Sequence, residues 1–313
     1  MLARLAAIPN LQVLEDVPLS RYSRFAIGGP ARVLADASTE TALIAALVEL
    51  RGCPHALIGG GSNLIADDAG FPGAVLRYVE SGIEIDSSMV RVRAGTVLQD
   101  LVNTTVAAGL KGLETMTGIP GWVGGAIYGN AGAYGRSIHE LVESVRFFDG
   151  EQVREIGNAE CEFRYRESVF KRRKDWIVLE CSLKLAPGDA TELGATADGI
   201  LKIRNEKYPP TMRCAGSIFK NLILAELSES VRAQVPERVI REGKVPSAYF
   251  LEVAGAKGIV NGGIRVADYH ANLIYNSDGG TSRQVREVIE MLKQRVEDRF
   301  GLRLEEEVQY LGG

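Results

Sequence analysis

At 313 residues, with 46% hydrophobic and 24% charged side chains, the chain can bury a sizeable core, and its length favours two or three packed subdomains. A formal net charge of -4 argues against a broad nucleic-acid surface, and no apolar run is long enough for a transmembrane helix. Four scattered cysteines (Cys53, Cys161, Cys181, Cys214) without a C-x-x-C pair, and only three histidines (His55, His139, His270), argue against a disulfide framework, a zinc site or another metal centre. The opening Met1–Pro9 is too short in apolar residues for a secretory signal, so no membrane partner and a cytoplasmic location are expected.

The first segment alternates helix and strand signals. Ser38 precedes a helical run through Leu43, Ile44 and Leu47 that Gly52 and Pro54 end. Ala56-Leu57-Ile58 reads as a short buried strand running into Gly59-Gly60-Gly61-Ser62-Asn63, and Ala74-Val75-Leu76 as the next strand after a turn at Gly70 to Gly73. Val90, Val92 and Ala94 alternate with Arg91 and Arg93, a half-exposed strand. Thr96 and Gln99 have the spacing of a capping box for a helix through Leu98, Leu101, Val102 and Thr105, with Gly109 at its end. Strands are expected near Val145–Phe148 and Trp176–Leu185. A basic helix around Ile200 to Lys207 then leads to Pro209-Pro210, the best candidate boundary. Thr281 and Gln284 form a second capping box. It opens a helix whose stripe of Val285, Val288, Ile289, Leu292, Val296 and Phe300 reads as core. Gly301 ends this helix, and Leu302–Val308 is expected to be a final strand.

Glycine is the unusual feature. There are 35, and nine of them fall between Gly109 and Gly135. In Gly59–Asn63 the backbone N–H groups can approach an anion closely and form a nest for a diphosphate, although a tight turn that binds nothing would look the same. The segment is neither the G-x-G-x-x-G fingerprint nor a Walker loop. The run from Thr117 to Gly135, TGIPGWVGGAIYGNAGAYG, suits a long flat cofactor pressed against the backbone; the alternative is a pair of glycine-rich loops packed between sheets.

Together GGGSN, the glycine block, FRYRES (163–168), AGSIFKN (215–221) and HANLIYN (270–276) resemble the UDP-N-acetylenolpyruvoylglucosamine reductase (MurB) family, in order and spacing from about Ser20 to the C-terminus. The resemblance implies an α+β fold. A two-part FAD-binding domain of the vanillyl-alcohol oxidase (PCMH) type, residues 1–80 and 81–208, would be followed by a smaller α/β substrate-binding domain, 209–313. It implies FAD and NADPH as cofactors, a UDP-sugar substrate, and reduction of its enolpyruvyl group during peptidoglycan precursor synthesis. Gly59, Gly60, Gly61, Ser62 and Asn63 would cradle the FAD diphosphate. Gly118, Ile119, Pro120, Gly124, Gly125, Asn130 and Gly132 would line the rest of the cofactor. Ser62-Asn63 stands where many flavoprotein relatives carry a histidine that bonds the flavin, which implies a noncovalent cofactor; His55 and His139 read as structural.

The resemblance also gives roles to side chains. Arg166 would stabilise developing charge, a task suited to a permanently charged guanidinium. A surface arginine beside Lys171, Arg172, Arg173 and Lys174 is the plainer reading. Ser217 would protonate the reduced substrate, although on its own it reads as a turn or cap residue. Lys220, Asn221 and His270 would contact substrate, with His270 equally readable as a structural hydrogen-bonding residue. Glu305 and Glu307 share a strand face by periodicity, which does not choose between them; the family pattern singles out Glu307 as the partner of Arg166 at the enolate. The chain departs from the family at Leu222, where proline is common, and in the length of the span from Leu222 to Ser247. Two other readings are a sugar or aldonolactone oxidase on the same cofactor fold and a nonenzymatic nucleotide-binding protein.

Overall fold

A computed structural model describes residues 1–312, and packing divides the chain into two units. The first comprises Met1–Val17, Ala31–Gly60 and Pro72–Glu206; the second comprises Pro18–Pro30, Gly61–Phe71 and Lys207–Gly313.

In the first unit, one sheet runs Leu11–Pro18, Pro30–Ala37, Phe71–Tyr78, His55–Ile58 in spatial order. The helix Glu40–Glu49 is capped by Thr39, whose hydroxyl accepts from the Ala42 N–H at 3.2 Å. It buries Ala42, Leu43, Ala46 and Leu47. His55–Ile58 pairs in parallel with residues 74–77 and lies at the end of the sheet order. Its side chains are therefore not buried as expected: His55 and Leu57 are exposed, because this strand has a neighbour on one side only.

A second sheet runs Val153–Gly157, Val142–Phe148, Ile177–Lys184, Met89–Arg93, Ile83–Asp86 and is antiparallel throughout. Val90 and Val92 point inward and Met89 and Arg91 outward, as the alternation requires. The central strand Ile177–Lys184 buries Ile177, Val178, Leu179, Cys181 and Leu183. The helix Leu98–Ala107 forms, and Gly109 follows it with φ +67°. Its expected capping box does not. The Thr96 hydroxyl accepts from the Gly82 N–H at 3.0 Å, and the Gln99 side-chain oxygen accepts from the Gly118 N–H at 2.6 Å. Both side chains are drawn into tertiary hydrogen bonds, and Val97 occupies the cap without a side-chain acceptor.

The second unit centres on an antiparallel sheet in the order Arg213–Ser217, His270–Asn276, Ile264–Ala267, Val260–Asn261. The helix Ser282–Phe300 packs its stripe into this unit's core: Val285, Val288, Leu292 and Val296 are fully buried. Each such side chain stabilises the fold by about 1.5–3 kcal/mol. The Thr281–Gln284 capping box is present, Asp68 accepts from the N–H groups of Ser282 and Arg283, and Gly301 ends the helix at φ +64°. Leu302–Val308, expected as a strand, is not one. Leu304 and Val308 both enter the core and Glu305 is exposed, as two-residue alternation allows, but the segment makes a single bridge, Glu306 to Phe219, too little pairing for a strand. The last strand is Gln309–Leu311, parallel to Leu64–Ala66.

The atypical span after Asn221 is closed at its base by Leu222–Ile223 pairing with Lys244–Val245. Leu227, Val231, Val235 and Val245 pack into the second core, so the extra length folds back onto this unit.

Candidate active site

Within the first unit, residues 60 and 121–122 meet although sixty positions separate them. A Cβ on Gly60 would lie 3.2 Å from Trp122 ring atoms and 3.4 Å from the Gly121 Cα. The Arg77 guanidinium lies over the Trp122 ring, 5.5 Å from its centroid, and is itself paired with Asp36. Gly60 and the Gly121-Trp122 turn therefore lie against each other, with no room for a side chain on Gly60.

The glycines of the two segments do different work. Gly118, at φ +75°, has the Arg204 side chain 3.0 Å from where a Cβ would be; Gly124 packs on Ala94; a Cβ on Gly132 would meet the Arg136 carbonyl at 2.3 Å. These three are glycine because protein atoms occupy the space. Gly125 is exposed on the short helix Val123–Tyr128, with no protein atom within 4 Å of its absent Cβ, and Gly59 has only a Trp122 carbon at 4.0 Å. At these two positions the bare backbone faces open space, a fit for a flat group lying against it. The first amides of Val123–Tyr128 are not available to a phosphate: the Val123 N–H donates to the Thr96 carbonyl and the Gly124 N–H to Ala94. Ile119 packs partly against the core, and Pro120 is half-buried beside it.

Asn130 is 2% exposed at φ +43°, and both ends of its amide are committed within the protein. Its Nδ2 donates to the Arg164 carbonyl at 2.8 Å and its Oδ1 accepts from the His139 N–H at 3.3 Å. That anchors the turn Arg164–Glu167, closed by reciprocal backbone bonds of 3.0 and 3.1 Å. The turn carries Arg166 at φ +59°, a left-handed conformation costing about 1–2 kcal/mol for a residue with a side chain. Lys171 holds it there, donating from Nζ to the Arg166 carbonyl at 2.9 Å and to Glu167 at 2.8 Å. The Arg166 guanidinium donates to the Gly132 carbonyl at 2.9 Å, so the expected charge stabiliser rests on the glycine block.

The second unit gathers the other named residues. Gly216, at φ +77°, sits in a register shift between Cys214 and Ser217, a bulge that re-aims the serine. The Ser217 and Tyr208 hydroxyls lie 3.2 Å apart. Beyond the bulge the chain runs antiparallel to residues 305–307: the Lys220 N–H donates to the Glu305 carbonyl at 2.9 Å and the Glu307 N–H to the Ile218 carbonyl at 2.7 Å. This pairing brings Ser217, Lys220 and Glu307 onto two adjacent extended segments.

The three glutamates separate by partner. Exposed Glu305 pairs with the buried Lys220 ammonium, and Glu306 with Lys293 and the Tyr310 hydroxyl. Glu307 is half-buried, and its carbonyl accepts from Asn63 Nδ2 at 2.9 Å. Asn63 thus ties the first glycine loop to the Glu307 segment. Gly61 in the same loop is φ +64°, with the Tyr22 carbonyl oxygen 1.8 Å from a Cβ position. Ser62 is half-buried, and Asn221 is exposed at the end of the paired segment.

His270 is half-buried near the Tyr208 ring, with centroids 6.3 Å apart. Burial, reinforced by the Lys207 ammonium, pushes its pKa down to about 4, so the ring is neutral at pH 7. Its Nδ1 accepts from the Asn272 N–H at 3.2 Å, which leaves the proton on Nε2. Sequence reasoning missed Tyr208, Lys171, Gln99 and Arg77. Lys171 had been read only as part of a basic run and Gln99 only as a capping-box residue, while Arg77 and Tyr208 carry no motif, although Tyr208 adjoins Pro209-Pro210.

Residues 30–154 match the family model described as FAD binding domain, so the first unit is built on a flavin-binding fold. Residues 208–311 match the model described as UDP-N-acetylenolpyruvoylglucosamine reductase, C-terminal domain. A UDP-N-acetylenolpyruvoylglucosamine reductase of Solibacter usitatus is 57% identical over 99% of this chain and 100% of its own length. One of Rubrobacter xylanophilus is 36% identical over 95% and 94%. The crystal structure of the MurB reductase from Thermus caldophilus superposes with a TM-score of 0.76 at 28% identity, covering 96% of this chain and all of that one. The chain belongs to the UDP-N-acetylenolpyruvoylglucosamine reductase (MurB) family. Its fold is α+β, an FAD-binding domain of the PCMH type followed by the family's C-terminal domain. Among the described residues, no helix is long and apolar enough to cross a membrane.

Proposed function

We propose that this protein reduces the enolpyruvyl group of UDP-N-acetylenolpyruvoylglucosamine to give UDP-N-acetylmuramate, with FAD and NADPH, a step of peptidoglycan precursor synthesis. The oxidase and nonenzymatic readings are set aside by the family to which the chain belongs. Within this chain the reading is supported by the close approach of Gly60 to Gly121 and Trp122, which brings the end of one glycine segment against the other. Gly59 and Gly125 would lie against the cofactor, and Gly60 to Asn63 would cradle its diphosphate. Ser62 and Asn63 offer no imidazole for covalent attachment, so the flavin is held noncovalently. When bound, FAD supplies the hydride it has received from NADPH.

The chain's own residues handle the charge and the proton. Hydride addition to the terminal carbon of the enol ether leaves an electron-rich centre beside the carboxylate. Arg166 and Glu307 are assigned to that developing enolate and Ser217 to its protonation. Arg166 is suited by a guanidinium held in a fixed direction by the Gly132 carbonyl. Ser217 is suited by the bulge at Gly216 that sets its direction. Lys220, Asn221 and His270 are assigned to substrate, His270 as a neutral Nε2–H donor. The two sheets of the first unit, which part near residue 80, would be the two halves of the FAD-binding domain, and the segment from about residue 209 the substrate domain. We assign the reaction to the cytoplasm, with a UDP-sugar and NADPH as its small-molecule partners.

The glutamate assignment is tested by single-turnover reoxidation of the reduced enzyme with the enolpyruvyl substrate. Glu307→Gln should slow it by roughly 100-fold, the scale of losing one charge-stabilising group, and Glu305→Gln by much less. The reverse order would move the role to Glu305.

A further inference from the structure

The assignment of Ser217 leaves a chemical gap. A serine that gives up its proton becomes an alkoxide, and an aliphatic alcohol is a far weaker acid than a phenol. The group best placed to answer is Tyr208, whose hydroxyl lies 3.2 Å from Ser217 Oγ. Its ring packs on a small apolar cluster of Cys214, Ala267 and Leu273, which fixes the phenol while leaving it half-buried and in reach of water. The Lys207 ammonium lies 5.1 Å from the ring centroid. His270, tilted 6.3 Å away, is neutral and adds no competing charge at pH 7.

We propose that Tyr208 is the positioning residue for Ser217, donating its hydroxyl hydrogen to Ser217 Oγ and replacing the proton that the serine gives away. This inference rests on Ser217 being the proton donor. Two consequences follow from the direction of the bond. While Tyr208 donates, one lone pair of Oγ is occupied and the serine hydrogen is directed elsewhere, toward a substrate carbon. When the Ser217 O–H bond breaks and a C–H bond forms, the electron pair stays on Oγ. The Tyr208 O–H bond then breaks, a new Ser217 O–H bond forms, and the phenolate, beside Lys207, takes a proton from solvent water. Nothing is oxidised or reduced in this relay.

The test is a double-mutant cycle of Tyr208→Phe and Ser217→Ala in the FAD-loaded full chain, read by anaerobic reoxidation with UDP-N-acetylenolpyruvoylglucosamine in H₂O and D₂O. Tyr208→Phe alone should slow reoxidation by about 10-fold or more and enlarge the solvent isotope effect. It should leave flavin reduction by NADPH, melting temperature and the substrate Kd of the oxidised protein unchanged. In the Ser217→Ala background it should have no further effect. A wild-type rate for Tyr208→Phe with a slow Ser217→Ala would overturn the relay and leave the serine assignment standing. So would an equal slowing by Tyr208→Phe in both backgrounds. A wild-type rate for Ser217→Ala would remove the serine assignment, and the relay with it.

Discussion

The glycine-rich surface of the first unit and the paired segments of the second are built by opposite means. In the first, side chains are removed: Gly59 and Gly125 present bare backbone, and the side chain to which we assign a role, Arg166, is held in a left-handed conformation by Asn130, Lys171 and the Gly132 carbonyl. In the second, the side chains to which we assign roles stand on ordinary backbone, brought together by two hydrogen bonds between residues 218–220 and 305–307, with one glycine bulge to redirect Ser217. The difference teaches where each region should be fragile. The first fails when a Cβ is added, the second when a polar atom is removed.

The largest effect should come from the strained arginine. Arg166→Ala should slow substrate-driven reoxidation by roughly 100- to 1000-fold and leave reduction by NADPH nearly intact. Arg166→Lys should recover little of it, because an ammonium lacks the bidentate fork. Equal losses in both half-reactions would mean that the residue supports the fold rather than the chemistry.

Next come the glycines, which should divide by sign. Gly61→Ala drives a Cβ into the Tyr22 carbonyl at a φ of +64° and should destabilise the chain by about 3 kcal/mol or more, seen as a drop in denaturant midpoint with or without flavin. Gly125→Ala meets no protein atom and lies in a helix. It should stabilise the flavin-free chain by about 0.5–1 kcal/mol while weakening FAD binding. An alanine there with unchanged FAD affinity would move the cofactor off this part of the surface.

The smallest effect is a slope. His270 is held neutral, with its pKa depressed to about 4 from the usual 6.5. Between those values the unfolded chain binds a proton that the folded chain does not, so stability falls as the pH falls through that window. His270→Gln should flatten the part of the melting-temperature profile between pH 7 and pH 4 that this group controls. Identical slopes for the two proteins would contradict the burial argument.

What could be read from the sequence follows the range of each signal. The helix from Ser282 to Phe300 declares its cap, stripe and stop between Thr281 and Gly301, and all three are present. Thr96–Gln99 has the same local spelling as a cap, but Gly82 and Gly118 take those side chains, and neither partner is visible nearby in sequence. Leu302–Val308 failed for a related reason: its alternation suits a strand, but a strand also needs a paired neighbour, and folding supplies only one bridge, from Glu306 to Phe219. At the site, residue types and spacing revealed that the glycines mattered. They could not say which serve packing and which serve a ligand, because that depends on atoms such as the Tyr22 carbonyl and Arg204 side chain that only folding brings near. Tyr208 was silent for the same reason: its link to Ser217 is a contact without a motif.

The central claim, that Ser217 protonates the reduced substrate, is tested most directly by anaerobic stopped-flow of the prereduced Ser217→Ala enzyme against UDP-N-acetylenolpyruvoylglucosamine. The account predicts flavin reduction by NADPH at close to the wild-type rate and reoxidation slowed by about 100-fold or more. Reoxidation at the wild-type rate would contradict it.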